Sequence, residues 1–359
     1  MGNILVVNCG SSSLKYKVFS TPGFEQLYKG AVEQIGEIDS SIKNHKQAIA
    51  SIFDELSSEG IEKTSIKGVG HRVVHGGEAF KEPVIIDKNV IAGIKENIKL
   101  APLHNPANLE GIIACMEAMP DIRQVAVFDT AFHSTIPKHA YMYPIPYEMY
   151  EKYRIRKYGF HGTSHAYVAA KAAEILERPL SELKLITVHM GNGCSISAVD
   201  KGRCIDTSMG FTPLSGLMMG TRCGDVDPAL PLYIINELHY SATKVDTMLN
   251  KESGIAGISG ISNDVRTIKQ AVEKGESRAC LALDMYLYSV KKYIGSYMYI
   301  LGGIDAIVFT AGVGENNPDL VHELTEDLGD ILKSKPEILV IPTEEELRIA
   351  TLTHGLLRG

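Results

Sequence analysis

The region that decides the fold contains the sequence Ile4-Leu5-Val6-Val7-Asn8-Cys9-Gly10-Ser11-Ser12-Ser13-Leu14-Lys15-Tyr16-Lys17-Val18-Phe19. The apolar run before Asn8 predicts a buried strand, and the run after Lys15 predicts a second one. The turn between them carries a glycine, three hydroxyls and a lysine. Such a turn can bind phosphate oxygens, because glycine lets backbone amides approach, serines donate and lysine supplies charge. The alternative is an ordinary polar hairpin.

A second strand–turn–strand arrangement occurs in the middle of the chain. Here Leu185-Ile186-Thr187-Val188-His189 leads into Gly191-Asn192-Gly193-Cys194-Ser195, and Ile196-Ser197-Ala198-Val199 follows. Strands and helices alternate elsewhere, which is typical of the α/β class. The two arrangements predict a duplicated domain with phosphate held between the halves.

Length and composition are those of a soluble globular protein with two domains: 359 residues, 45% hydrophobic and 22% charged. The net charge is −7 and no basic block occurs, which argues against nucleic acid as a partner. No apolar run reaches the roughly 18 residues of a membrane span, and the chain enters a strand almost at once, so we expect neither a membrane partner nor a signal peptide. Six scattered cysteines predict free thiols in a reducing cytoplasm.

Three glycine-bearing loops each follow a predicted strand, at 8–13, 189–195 and 311–316. None has the spacing of a P-loop, and Gly312-Val313-Gly314 lacks the third glycine of a dinucleotide fingerprint. Three such loops in one α/β chain favour a nucleotide or polyphosphate site.

Two arginines lie among small residues, Arg72 in the segment 71–77 and Arg222 in the segment 220–224. A guanidinium that its neighbours cannot cover can grip an anion through paired hydrogen bonds; the alternative is a surface ion pair. Asp129 ends an apolar strand, where ligands meet an open α/β sheet, although it could equally cap a helix.

Two histidine pairs, His71/His75 and His161/His165, have the four-residue spacing of a zinc pair on a helix. Glycines in both segments argue against such a helix. Packed or phosphate-facing histidines are favoured.

Taken together, the motifs resemble the acetate kinase family and occur in its order along the chain. They lie at 8–15, 71–77, 101–106, 128–133, 158–165, 189–195, 207–214, 220–224, 262–264, 311–316 and 341–343. The resemblance implies two duplicated actin-like (ribonuclease H-like) domains with a cleft between them. It also implies direct, reversible transfer of the γ-phosphoryl group of ATP to acetate with Mg²⁺ (or Mn²⁺), giving acetyl phosphate and ADP, in a cytoplasmic homodimer.

The resemblance assigns a role to each matching position. The catalytic residues would be Arg72, Asp129, His161 and Arg222. The acetate pocket would comprise Arg72, Val74, Leu103, Phe160 and Pro213. Mg²⁺ would be held by Asn8 and Glu345. Contacts to ATP would come from Ser13, Lys15, His104, His189, Met190, Gly191, Asn192, Gly193, Asp264, Val265, Arg266, Gly312, Val313, Gly314, Glu315 and Asn316.

The resemblance also divides the chain. Residues 1–147 with the helix 347–359 would form the acetate-side domain, and 148–346 the nucleotide-binding domain, which would also form the dimer interface. The segment 141–158 is predicted to cross between them, and 279–301 to be a long helix buried around its circumference. The chain looks shorter than family members within 17–67 and 317–340.

Three alternative functions remain open: a propionate or butyrate kinase, a pyrophosphate-using relative, and a non-enzymatic actin-like scaffold that only binds nucleotide. We expect Arg72→Ala and Arg222→Ala each to lose most turnover while the fold survives.

Overall fold

The computed structural model describes residues 2–102, 104–331 and 335–358. Contacts divide the chain into two compact units. The first ends at Ser134 and takes up the chain again from Glu344, whereas the second extends from Thr135 to Thr343.

These boundaries differ from the sequence-based ones. The stretch 135–147 belongs to the second unit, where Tyr143 Oη accepts a hydrogen bond from Phe211 N (2.8 Å). Glu345 belongs to the first unit rather than the second.

The strands of the first unit are β1 (Gly2–Cys9), β2 (Leu14–Thr21), β3 (Gln26–Val32), β4 (Ile66–Val73), β5 (Val84–Ile85) and β6 (Gln124–Phe128). Those of the second are β7 (Lys184–Met190), β8 (Cys194–Asp200), β9 (Arg203–Thr207), β10 (Ala306–Thr310) and β11 (Glu337–Val340). The helices are α1 (His45–Ser58), α2 (Lys88–Glu96), α3 (Asn105–Ala118), α4 (Lys138–Tyr141), α5 (Glu148–Tyr153), α6 (Gly162–Ile175), α7 (Ala229–Asn236), α8 (Ala242–Lys251), α9 (Gly254–Ser259), α10 (Val265–Glu273), α11 (Ser277–Leu301), α12 (Ala311–Asn316), α13 (Pro318–Thr325), α14 (Leu328–Ile331) and α15 (Glu345–Arg358).

Each unit contains its own sheet, and the two sheets share one strand topology. In the first the strand order is β3-β2-β1-β4-β6-β5, with β1 antiparallel to β2 and parallel to β4. In the second the order is β9-β8-β7-β10-β11, with β7 antiparallel to β8 and parallel to β10. Five strands therefore correspond one to one, and the duplication predicted from the two hairpins is confirmed. The first unit adds β5 at one edge.

The centre of β1, Ile4–Val7, is an uninterrupted apolar run because helices cover both faces of its sheet. Ile4 and Val6 pack against Ile349 and Ala350 of α15. The alternate residues, such as Leu5, belong to the cluster formed with α1 and α3. Successive side chains of a strand point to opposite faces, so a strand buried on both sides shows no polar alternation.

Close packing of α15 on the sheet requires glycine in β4. A Cβ at Gly70 would lie 2.5 Å from Thr353 Oγ1 and 2.6 Å from Ile349 Cγ2, and one at Gly68 would collide with Leu357 Cδ1. The glycines therefore allow the helix to approach the backbone of β4.

Two expectations about secondary structure are corrected. The segment 311–316, expected as a loop, forms the short helix α12, which begins with Ala311 at φ 64°. The helix α11 is not buried all round: Leu281, Met285 and Tyr288 are exposed and Tyr299 is almost fully so. Among the described helices, none combines the length and the apolar character needed to cross a bilayer.

Candidate functional site

The candidate residues of the first unit meet at one edge of its sheet. Strands β1 and β6 flank β4 in parallel, so the carboxyl ends of all three lie together. Asn8 lies near the end of β1, Arg72 and Val74 lie at the end of β4, and Asp129 directly follows β6. This edge is where open α/β sheets bind ligands.

Arg72 and Asp129 form a bidentate ion pair at this edge. Arg72 Nη2 lies 2.6 Å and Nε 3.0 Å from Asp129 Oδ2, and the Asp129 side chain is only 2% exposed. Arg72 Nη1 lies 3.6 Å from a Glu345 oxygen. Burial disfavours the charged guanidinium, but Asp129 and Glu345 outweigh it and raise the pKa of Arg72. Arg72 thus compensates one buried and one partly buried acid.

Glu345 begins α15 in a strongly acidic turn. Burial raises its pKa to about 7; the charges of Asp129 and Glu346 act in the same direction, and Arg72 opposes them. Lys17 contacts the flanking acids, at 3.1 Å from Glu344 and 3.2 Å from Glu346. Near neutral pH, burial therefore disfavours the ionised form of Glu345.

We expect metal-free Glu345→Gln to be more stable than the wild type at pH 8. An acid whose pKa rises on folding costs stability once it ionises, and this cost accumulates from about pH 4.5 to about pH 7. At 1.36 kcal/mol per pKa unit, the gain is at most about 3 kcal/mol. Thermal unfolding in EDTA at pH 5 and pH 8 measures this gain in stability.

The control is Glu344→Gln. Glu344 is the half-exposed neighbour of Glu345, so its substitution should change stability little. A gain that is as large at pH 5 as at pH 8 would contradict this origin.

The hairpin turn predicted to bind phosphate has a defined shape. Gly10 N donates to Ser13 O (2.7 Å), and Gly10 O contacts His45 Nε2 (2.9 Å). Lys15 is exposed. His104 occupies the position before α3. Leu103 lies outside the described residues.

In the second unit, Gly193, His161 and Arg222 come together. A Cβ at Gly193 would lie 3.3 Å from Arg222 Nη1 and 3.4 Å from His161 Nε2. His161 adopts the left-handed conformation (φ 56°) directly before α6, which is uncommon for a residue with a side chain. Its ring stacks on His189 with centroids 4.2 Å apart. His161, one of the histidines predicted to face phosphate, therefore lies near the Arg222 guanidinium.

Arg222 is a half-buried cation. Its Nη1 donates to Pro213 O (3.1 Å), and no carboxylate of the described residues forms an ion pair with it. Burial lowers the pKa of Arg222. Because arginine nevertheless stays protonated, this partly buried cation favours an anionic ligand.

A cavity of about 620 Å³ brings together three segments that were predicted separately to bind nucleotide. Its lining consists of Gly191, Asn192, Asn263, Asp264, Val265, Arg266, Gly312, Val313, Asn316 and Asn317. Asp264 caps α10 by accepting from Arg266 N (2.9 Å) and pairs with the Arg266 guanidinium. The volume lies in the range of small-molecule sites.

Several residues assigned to ATP do not line this cavity. Glu315 Oε1 accepts from Thr343 N (2.9 Å), so its carboxylate holds the segment after β11. Gly314 packs beside Phe309 and Met190, and Met190 is fully buried. His189 and Gly193 lie instead with His161 and Arg222.

The residues assigned to the acetate methyl pocket fall in both units. Phe160 is buried and Pro213 half-buried in the second unit, next to His161 and Arg222 respectively. Val74, half-buried in the first unit, donates its backbone N–H to Asn108 (3.0 Å).

Sequence reasoning missed the polar residues that support these groups. Asn263 Nδ2 donates to Asn192 Oδ1 (2.9 Å), and Ser195 Oγ contacts His161 Nδ1 (2.9 Å). Asn263 and Ser195 lay within quoted motifs, but nothing in their spacing indicated their partners. Within the described residues, no three His, Cys, Asp or Glu side chains cluster as a metal site.

The duplicated α/β fold and its cavity, lined mainly by polar residues and glycine, fit a phosphotransferase that binds a nucleotide. Residues 3–331 match the model of the Acetokinase family, and the chain belongs to that family. Acetate kinase from Thermoanaerobacter pseudethanolicus is 51% identical over 397 aligned residues, which cover 99% of each protein. That alignment is longer than this chain, so the relative contains segments that this chain lacks.

Two solved structures are closely similar. Acetate kinase from Porphyromonas gingivalis superposes with a TM-score of 0.95 at 41% identity, covering 99% of this chain and 100% of that one. A propionate kinase from Francisella tularensis gives a TM-score of 0.94, also at 41% identity, with the same coverage.

Proposed function

We propose that this protein reversibly transfers the γ-phosphoryl group of ATP to acetate, giving acetyl phosphate and ADP. The observation that carries the proposal is the position of Arg222 beside Gly193 and His161, with no ion-pair partner in the described part of the chain. All three residues lie in the unit that contains the nucleotide-sized cavity. The relatives named acetate kinase support the same reaction.

In this proposal the second unit binds the nucleotide and stabilises the moving group. The cavity takes the adenosine part of ATP, and the 191–193 loop faces its phosphates. Arg222 and His161 donate to the oxygens of the transferring phosphoryl group. Phosphoryl transfer depends mainly on alignment and on neutralising charge spread over those oxygens, so fixed donors are the main requirement.

The first unit would supply the acetate side. Arg72 binds the carboxylate, and Asp129 fixes the guanidinium through its paired contacts. Acetate is already ionised at neutral pH and needs no general base, so Asp129 acts by positioning.

Magnesium fits the acidic edge of the first unit. Asn8 and Glu345 offer the oxygen ligands that this hard cation prefers. Burial raises the pKa of Glu345, and a bound cation would favour its ionised form. The ion would neutralise phosphate charge when bound with ATP. Mg²⁺ usually keeps several waters and binds few protein ligands, so two protein ligands suffice.

Acetate, propionate and butyrate should be used in decreasing order. Each added methylene in a small apolar pocket changes discrimination by about 1–3 kcal/mol, so kcat/KM should fall by about 10- to 200-fold per carbon. Hydroxamate formation from carboxylate, ATP and hydroxylamine measures it. A preference for propionate would favour the activity named for the Francisella neighbour. Tight ATP binding without turnover on any acid would favour the non-enzymatic scaffold.

A homodimer is also proposed, through the exposed stripe of α11 formed by Leu281, Met285, Tyr288 and Tyr299. These residues recur at helical spacing, and apolar stripes of this kind usually bind a partner. Analytical ultracentrifugation of Tyr288→Glu against the wild type tests it; an unchanged dimer would exclude the stripe. A cytoplasmic location remains a prediction from the sequence.

A further inference from the structure

A chain of buried hydrogen bonds leads from the sheet of the second unit to His161. Thr187 Oγ1 in β7 lies 2.7 Å from His165 Nδ1. His165 Nε2 lies 2.8 Å from Ser195 Oγ in β8, and Ser195 Oγ lies 2.9 Å from His161 Nδ1. Thr187, His165 and Ser195 are all fully buried.

The position of His161 determines which of its ring nitrogens must carry a proton. The Cε1–Nε2 edge of the ring faces Gly193 and Arg222, where the phosphoryl group is proposed to bind. Phosphoryl oxygens accept hydrogen bonds, so a neutral His161 must carry its single proton on Nε2. Its Nδ1 must then accept a hydrogen bond, and the neighbour at Nδ1 is Ser195.

Counting the available protons fixes the donor and the acceptor in each remaining hydrogen bond of this network. The Ser195 hydroxyl has one proton; if it donates to His161 Nδ1, it must accept from His165 Nε2. A neutral His165 then presents an unprotonated Nδ1, to which Thr187 donates. The opposite direction would place the proton of His161 on Nδ1 and turn an acceptor towards the phosphate.

We propose that Thr187, His165 and Ser195 are positioning residues that hold His161 in the tautomer with its proton on Nε2. This inference rests on the proposed function, because it gives His161 the role of donor to the transferring phosphoryl group. None of the three needs to contact substrate. Outer partners that orient a functional histidine typically contribute about 10- to 100-fold.

Matched substitutions separate this role from packing. Thr187→Val preserves shape and removes the donor, whereas Thr187→Ser keeps the donor. We expect kcat to fall about 10-fold in T187V and up to about 100-fold in S195A, with KM for ATP and acetate within about threefold of the wild type and with T187S close to it.

The control is Ser197→Ala. Ser197 lies on the same strand as Ser195, is equally buried and bonds Thr207 Oγ1 (2.9 Å) instead of a histidine. S197A should keep wild-type kcat. A loss in S197A equal to that in S195A, a failure of T187S to restore kcat, or an unchanged kcat in T187V would overturn the proposal.

A spectroscopic test does not depend on turnover. In protein labelled with ¹⁵N-histidine at pH 8, with His161 assigned by comparison with His161→Asn, Nδ1 of His161 should resonate as unprotonated and Nε2 as protonated. In S195A this preference should weaken. A protonated Nδ1 in the wild type would overturn the proposal. If the wild type forms no acetyl phosphate but shows the expected tautomer, the proposed function fails and the tautomer assignment stands.

Discussion

Replacing Arg222 by methionine should lower kcat by at least about 10²–10³-fold without destabilising the protein. Removing one preorganised donor to developing charge commonly costs this much. Stability should be equal or higher, because the wild type keeps a partly buried guanidinium with no acidic partner in the described structure, and burial lowers its pKa. Steady-state kinetics and thermal unfolding of the same preparation measure both effects.

Arg222→Lys serves as the control for charge. Lysine keeps the positive charge but cannot form two parallel hydrogen bonds, so it should recover only part of the activity. A methionine variant with full turnover would remove Arg222 from the mechanism. A clear loss of stability would show instead that its bond to Pro213 O supports the fold.

Replacing Arg72 by methionine should abolish turnover and also lower the free energy of unfolding by about 3–5 kcal/mol. Removing one partner of a buried ion pair leaves an uncompensated charge. Here the charges are those of Asp129, which is 2% exposed, and Glu345. Urea denaturation at pH 8 measures the loss.

The matched control for Arg72 is the double variant Arg72→Met/Asp129→Asn. It removes both charges of the pair, so most of the lost stability should return while activity stays absent. An equally unstable double variant would mean that packing of the arginine, rather than its charge, supports this edge. We therefore expect the Arg72 variant to be less stable than the wild type and the Arg222 variant to be at least as stable as the wild type.

The sequence was sufficient where a single local pattern determines the structure. The continuous apolar run at Ile4–Val7 predicted β1, because a strand covered on both faces has no polar alternation. Asp129 was placed correctly after β6 by the same reasoning. The repeated hairpin was enough to predict the duplicated fold.

Sequence reasoning failed where the structure depends on contacts between residues that are distant in the chain. Arg72 and Asp129 are 57 positions apart, and no local signal pairs them. The glycines in 311–316 indicated a loop, but one turn of helix forms after β10. An apolar composition indicated that α11 is buried all round, although composition cannot distinguish a core contact from a surface that binds another molecule.

The first unit receives its closing helix from the far end of the chain. During synthesis, the ribosome therefore completes the whole second unit before α15 exists to cover Ile4 and Val6. Until then, one apolar face of the first sheet stays open to solvent and to chaperones. The unit that is begun first thus cannot complete its packing until the other has been synthesised.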